Sequence, residues 1–224
     1  MSRKPSIFYF WFFIIPVFKE MQPDCPAFDR LNTIETDCWQ RIHGGLRSYR
    51  DDYRQAFIAN AGRDFPNIRT VTLRHVWVAE RRLAFHVDVR KQLVREFRED
   101  PRVTWLFYSR DQRIQIRLSG LMHFETETAL ANDSWAATNT GSRKCYMAPL
   151  APGHIAEIFT SGWPAGLEDR KPELAESEVG RANFAVAVTN VHAMDWVWLH
   201  YQGQRRAHFT YADDGSYQAT FLTP

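Results

Sequence analysis

Four short segments hold most of the side chains in this chain that could do chemistry. RTVTLR at 69–74 brackets an alternating run with Arg69 and Arg74, and FHVDVRKQ at 85–92 carries Arg90 and Lys91 near its end. RIQIRLSG at 113–120 sets Gln115 among arginines, and RAHF at 206–209 places Arg206 two residues before His208, ahead of a terminal LTP. A guanidinium fork binds phosphate or carboxylate through two parallel hydrogen bonds. A basic pair that leaves a strand and opens a helix adds the positive end of the helix dipole. The chemistry on offer is recognition of an anionic group. Each segment alone also fits an edge strand or a solvated helix turn; the four in fixed order are what lift them above that.

Other chemistries find little support. The chain has no G-x-S-x-G, H-E-x-x-H, P-loop or G-x-G-x-x-G, and Gly44-Gly45 and Gly141-Ser142 lack the surroundings such motifs need. Its eight histidines are dispersed without metal-ligand spacing, and His123 and His192 read as core or loop residues, so no metal site is expected. A net charge of +2, with positive charges scattered among acids, argues against a nucleic-acid surface. The basic residues are mostly arginine. Three cysteines (Cys25, Cys38, Cys145) are odd in number and widely spaced, which indicates neither a disulfide framework nor zinc and fits a reducing compartment.

The elements that must position these residues follow from periodicity. Trp39, Ile42, Leu46, Tyr49, Tyr53 and Phe57 recur at helical spacing, predicting an amphipathic helix over 38–61 behind Thr36 and Asp37, weakened at Gly44-Gly45 and ended by Gly62. From Ile68 the period becomes two: 68–73 reads as a strand and 83–87 as its hairpin partner across the turn AERR. A short helix over 90–99 stops at Pro101. Strands follow at 103–108 and 113–125, the latter with Gly120 at a bulge or bend. A helix over 126–137 takes Thr126 as its cap. The segment 138–181, rich in Pro and Gly, reads as irregular with one helical turn near 155–159. The chain closes in a meander with strands near 184–191, 196–201, 205–211 and 217–222, turning at Gln202-Gly203 and Asp213-Asp214-Gly215. Hydrophobic residues at 45% and charged residues at 24% are ordinary globular values, and 224 residues can bury a substantial core in one domain. Aromatic residues at 14%, including eight Trp, suit a β core first and a flat aromatic ligand second. The whole predicts a mainly β, antiparallel barrel with short helices packed outside.

From about Trp39 to Pro224 the ordered segments resemble the pyridoxamine 5'-phosphate oxidase family of FMN-binding split barrels. The resemblance implies FMN as cofactor and a homodimer with its two sites at the subunit interface. Arg69, Thr70, Val71, Thr72, Leu73 and Arg74 match the family's first-strand motif, which lines the flavin and ends on a basic residue near the substrate. His86 and Val87, then Arg90 and Lys91, fall in its phosphate segment, Gln115 where a glutamine hydrogen-bonds the ring, and Trp198 where a Trp sits near the cofactor. Arg206 and His208 match the R-x-H element that faces the substrate and are the expected catalytic pair. Arg74 and Arg143 are expected at the substrate phosphate. The reaction implied is hydride transfer from a small phosphorylated substrate, such as pyridoxamine or pyridoxine phosphate, to flavin N5, followed by reoxidation by oxygen.

The chain departs from the pattern at Val87, where the family has Thr, and at Thr210, where it has a basic residue. These departures leave open a flavin-binding or storage protein without turnover, or a split barrel that holds haem or a deazaflavin. The apolar run IFYFWFFIIPVF near the start is too short to span a bilayer, is broken by Pro16, and lacks a small-x-small cleavage site. Residues 1–20 therefore read as an upstream extension before a start at Met21, and 21–224 as one cytoplasmic domain. Neither a nucleic-acid nor a stable membrane partner is expected.

Overall fold

The computed structural model describes residues 28–62 and 64–224, so the expected extension at 1–20 and the start at Met21 lie outside the described residues. Eight strands among these residues form one sheet: β1 (Gln55–Asn60), β2 (Asn67–Trp77), β3 (Arg82–Asp88), β4 (Arg102–Ser109), β5 (Ile114–Glu125), β6 (Phe184–Trp198), β7 (Arg205–Tyr211) and β8 (Tyr217–Leu222). They run in the order β3-β2-β1-β4-β5-β6-β7-β8, and every neighbouring pair is antiparallel. A further antiparallel pairing of β3 with β6 closes six strands into a ring and leaves β7 and β8 as a flange. The architecture is the antiparallel barrel expected from the alternating segments, in the split form that the resemblance implies.

Closure depends on β6. One edge of this strand pairs with β5 along nearly its whole length, while the other pairs first with β3 (Phe184 to Asn190) and then with β7 (Ala193 to Trp198). The change of partner coincides with a register shift: Ser119 faces Ala193 and Gly120 faces Val191, so His192 is the extra residue of a bulge. Gly120 is the strand bend anticipated from the sequence. A Cβ there would stand 2.0 Å from the carbonyl oxygen of Asn190, so only glycine lets the two backbones approach this closely.

The barrel is filled by alternating side chains, among them Ile58, Leu73, Phe85, Trp105, Phe107, Ile116 and Met194, all at most 3% exposed. The aromatic content goes largely into this packing. Trp105 donates its Nε1–H to Thr189 Oγ1 (3.0 Å) and Trp39 donates to the Tyr211 hydroxyl (3.1 Å), which satisfies these two indoles inside the core, whereas Trp196 Nε1 is buried with no hydrogen-bond partner among the described residues. Helix α1 (Leu31–Gly44) buries Ile34, Cys38, Trp39 and Ile42. Helix α2 (Gln92–Glu99) follows β3 and buries Leu93, Val94 and Phe97. Helix α3 (Ala129–Ala137) sets Ala131 and Trp135 against Ala84, Phe184 and Val186, forming a second apolar cluster.

Several expected elements move. The helix drawn over 38–61 ends at Gly44, passes through a 3-10 turn (Gly45–Arg47), and gives way to a strand over 55–60. The apolar spacing continues past the true end by coincidence: Tyr49 is 71% exposed, whereas Ala56 and Ile58 are buried with the period of a strand. Gly45 permits the reversal, because a Cβ at that position would lie 2.6 Å from the Tyr53 carbonyl carbon. Thr36 and Asp37 lie inside the helix rather than before it, and Asp37 pairs with Arg41 one turn on (2.5 Å). The cap of α3 is Thr128, whose hydroxyl accepts from the Ala131 N–H (3.3 Å), not Thr126. The expected helical turn at 155–159 is absent; short helices form instead at Thr140–Arg143 and Leu174–Ser177. The strands drawn at 184–191 and 196–201 are one strand, continuous through the bulge. Gly120→Ala should therefore cost about 3 kcal/mol or more by chemical denaturation, since backbone must move to admit the methyl group. A loss under about 1 kcal/mol would show that the bend yields easily.

Candidate functional site: a basic cleft along β2

Strand β2 is long, and its residues 69–74 form one wall of a cleft of about 480 Å³. Arg69, Thr70, Val71, Thr72 and Arg74 come from β2; Phe85, His86 and Val87 from β3; Lys91, Gln92 and Leu93 from the start of α2; and Tyr146, Pro152 and Gly153 from the connection to β6. Among the described residues three cations line it and no carboxylate does. Their placement follows from register. Phe85 lies opposite Leu73 in the β2–β3 hairpin, so the chain leaving β3 at Asp88 travels back toward Arg69, and α2 begins beside that end. Arg69, Lys91 and the first residues of α2 thus share one end of the cleft. Arg74 lies five strand residues away, about 16 Å.

Behind the cleft, Arg69 Nη2 donates to Glu96 Oε2 (3.1 Å), and Arg69 Nη1 is buried with no hydrogen-bond partner among the described residues. Burial would raise the Glu96 carboxyl, but hydrogen bonds from Arg69 and Asn60, with the Arg69 charge, outweigh it and hold the group below its ordinary range. At the other end, His86 Nε2 meets His75 Nε2 at 3.4 Å, and the latter also meets Ser134 Oγ at 3.0 Å. Desolvation, then the charge of Arg74, depresses both imidazoles, His86 to about 3. Both rings are neutral at physiological pH. Burial pushes the Tyr146 phenol up, so it too stays protonated.

The residues singled out in the sequence separate into three groups. Most of 69–74, with His86, Val87 and Lys91, meet in the cleft; Leu73 is fully buried in the core beneath it. Val87 is 3% exposed and packed in the core, so it offers the cleft a wall and no polar group. Arg90 is not in the lining: its Nε and Nη2 donate to Asp88 (3.0 and 2.7 Å) and its Nη1 to the Ala148 carbonyl (2.8 Å), which ties the connection to the end of β3. Arg143 also lies outside the cleft. It is 3% exposed, stacks on Trp135, and donates to the carbonyls of Thr138 and Trp135 and to Ser177 and Glu178, leaving nothing for a ligand.

A third group lies on β5, β6 and β7. Asp195, 5% exposed, receives Arg206 (2.9 Å) and Arg117 (3.3 Å), with His208 Nδ1 at 3.7 Å. Gln115 is half-buried on β5 opposite Val197, and Trp198 packs on Phe28 and His200 with the Arg205 guanidinium over its ring. None of these lines the cleft within this chain. Sequence reasoning missed Gln92, Leu93, Tyr146, Pro152 and Gly153. Gln92 stands next to Lys91 in a segment already singled out, whereas Tyr146 and 152–153 come from irregular chain with no periodic signal. Among the described residues no helix is long and apolar enough to cross a membrane.

The class defined by this geometry is an antiparallel split barrel with an anion-receptive cleft between its β2–β3 hairpin and the following helix. Residues 42–126, which contain β1 to β5, match the sequence model of the pyridoxamine 5'-phosphate oxidase FMN-binding domain. Solved structures share the fold. A pyridoxamine 5'-phosphate oxidase-related, FMN-binding protein from Nostoc punctiforme superposes with a TM-score of 0.65 at 18% identity, over 84% of this chain and 96% of its own. PhzG from Burkholderia lata, solved with tetrahydrophenazine-1-carboxylic acid, gives 0.58 at 16% identity over 90% and 95%. A Clostridium acetobutylicum protein related to general stress protein 26 gives 0.50 at 8% identity over 82% and 98%. No curated protein matches the chain. The protein thus resembles the pyridoxamine 5'-phosphate oxidase-like family and has that family's split-barrel fold.

Because the folded-state pKa of His86 (about 3) lies below its ordinary 6.5, the unfolded chain binds the extra proton between these values. The stability that His86 contributes is complete above pH 6.5 and drains away as pH falls toward 3. His86→Gln should flatten that acid-side slope by up to about 1.4 kcal/mol per pH unit in urea unfolding between these limits. An unchanged slope would mean that His86 titrates normally.

Proposed function

We propose that the cleft along β2 binds FMN and that the protein is an FMN-dependent oxidoreductase of pyridoxamine 5'-phosphate oxidase type, acting in the cytoplasm on a small phosphorylated amine or alcohol. The observation that carries this reading is the pair of cationic ends on one strand, Arg69 with Lys91 at the start of α2 and Arg74 beyond, with no carboxylate in the lining. A ligand with a phosphate at one end and a ring that becomes electron-rich at the other suits that spacing. Lys91 and the first N–H groups of α2 would take the phosphate, the β2 backbone and Thr70 and Thr72 the middle, and Arg74 the electron-rich end. Bound FMN supplies the two-electron chemistry, accepting a hydride at N5 from the substrate carbon and passing the electrons to oxygen.

The chain's own groups do the rest. Asp195 holds Arg206 and His208 on one face of β6 and β7, where they are suited to orient an anionic substrate. They stand on different strands from the cleft, so the complete site of this reading needs a homodimer in which Arg206 and His208 of the partner subunit face Arg74. Arg74 and the partner's Arg206 then hold the substrate phosphate, while Arg143, consumed by its own contacts, drops out of the set. Thr210 approaches His208 Nε2 at 3.4 Å where the resembled oxidases carry a basic residue, which favours a substrate other than pyridoxamine phosphate itself.

The purified protein should be yellow, and Arg69→Ala with Gln115→Ala should strip the colour. Without oxygen, a phosphorylated amine or alcohol other than pyridoxamine phosphate should bleach it; a stable yellow form that no phosphorylated amine or alcohol bleaches would favour flavin binding without turnover. The shared site has its own test. Arg69→Ala and Arg206→Ala should each lower turnover at least about 100-fold, one charged contact at each centre. Mixing the two inactive proteins in equal amounts under subunit exchange should restore up to a quarter of wild-type activity, because half the dimers are then heterodimers and each holds one intact site of two. No recovery despite proven exchange would confine each site to one chain.

A further inference from the structure

Glu96 lies one helical turn beyond Gln92 on α2 and behind the cleft wall. Four donors from three elements converge on its carboxylate. Oε1 accepts from Asn67 Nδ2 (3.1 Å) and Gln92 Nε2 (2.9 Å), while Oε2 accepts from Asn60 Nδ2 (3.1 Å) and Arg69 Nη2 (3.1 Å). The end of β1, the start of β2 and α2 are thereby tied to one group. Only a side chain that accepts at both oxygens and donates at neither can close this arrangement; an amide would turn an NH2 group toward two other donors.

The consequence falls on Arg69, which faces the cleft on one side and Glu96 on the other. A long, flexible arginine normally loses side-chain entropy when it captures an anion. Here Nη2 is already held, and Nη1 is buried with its hydrogen-bonding capacity unused among the described residues. The guanidinium is fixed beside Lys91 before any ligand arrives. We propose that Glu96 is the positioning residue of the cleft, holding Arg69 at the α2 end so that ligands bearing a terminal phosphate are selected over the same ligands without one. The inference rests on the flavin reading and adds to it the source of phosphate selectivity.

Two flavins that differ only in that phosphate, FMN and riboflavin, provide the test. Flavin-fluorescence titrations should show wild type preferring FMN, and Glu96→Gln should weaken FMN about tenfold or more, the worth of one charge-assisted hydrogen bond, while leaving riboflavin affinity within about twofold. In an Arg69→Ala background the Glu96 substitution should cost FMN affinity nothing further, since its effect runs through that guanidinium. Glu96→Asp, which keeps the charge but withdraws it by one methylene, should fall between wild type and Glu96→Gln. Equal FMN affinity in wild type and Glu96→Gln, an equal loss for riboflavin, or an undiminished loss in the Arg69→Ala background would each overturn the positioning role while leaving the flavin reading in place. If Glu96→Gln does not fold, the Glu96→Asp and Arg69→Ala cycle decides by the same criteria. Wild-type protein that binds neither flavin overturns the reading and this inference together.

Discussion

The structure depends on one strand having two successive neighbours on the same edge. β6 pairs with β3 over its first half and with β7 over its second, and the exchange takes place where Gly120 lets β5 approach Asn190 and His192 bulges out. A straight β6 would leave one edge of β3 unpaired and the ring open. Because β6 closes it, the β2–β3 hairpin is held on both sides, and β2 becomes a wall along which Arg69 and Arg74 have defined places. The same exchange separates the cleft from the Asp195 cluster, which rides on the other half of β6. The proposed dimeric site draws on both.

Within that frame, acids sort the arginines into two populations. Asp88 and the Ala148 carbonyl consume Arg90, and Glu178, Ser177 and two helix-end carbonyls consume Arg143; both guanidinia serve the fold by pinning irregular chain. Arg69 and Arg206 are held from one side only, by Glu96 and Asp195, and keep a side toward cleft or surface. A carboxylate placed behind an arginine orients it at little cost to its reach, whereas one beside it with further acceptors ends its availability. The neutral pair His75 and His86 follows a related logic. Near Arg74 and largely out of water, an imidazole is more stable without its proton, so these rings offer hydrogen bonds and no additional charge.

The strand content, the β2–β3 hairpin, the bend at Gly120, the helix after β3 and the gathering of most of 69–74 along one stretch of strand were all legible in the sequence. Each rests on local signals: period-two alternation, a glycine inside a strand, a basic pair between strand and helix. The errors arose where a local pattern was ambiguous. Helical spacing persisted through Tyr49 and Phe57 although the chain had already reversed at Gly44-Gly45, because a six-residue strand with only two inward apolar positions, Ala56 and Ile58, is too short to set the period. The break drawn inside β6 falls at the bulge, through which the strand continues.

What the chain determined by itself was the kind of fold and the positive charge of segment 69–74, since apolar period and charge are properties of neighbouring residues. Which arginines line the cleft was settled only by tertiary structure. Arg90 beside Lys91, or Arg143 in GSRKCY, carries the same charge as Arg69, and nothing in the local sequence tells them apart. Their fates depend on acceptors from distant segments: Ala148 for the first, Ser177 and Glu178 for the second, and Glu96 for Arg69. A hydrogen bond requires two groups within about 3 Å, and only the closed barrel brings together residues so far apart along the chain.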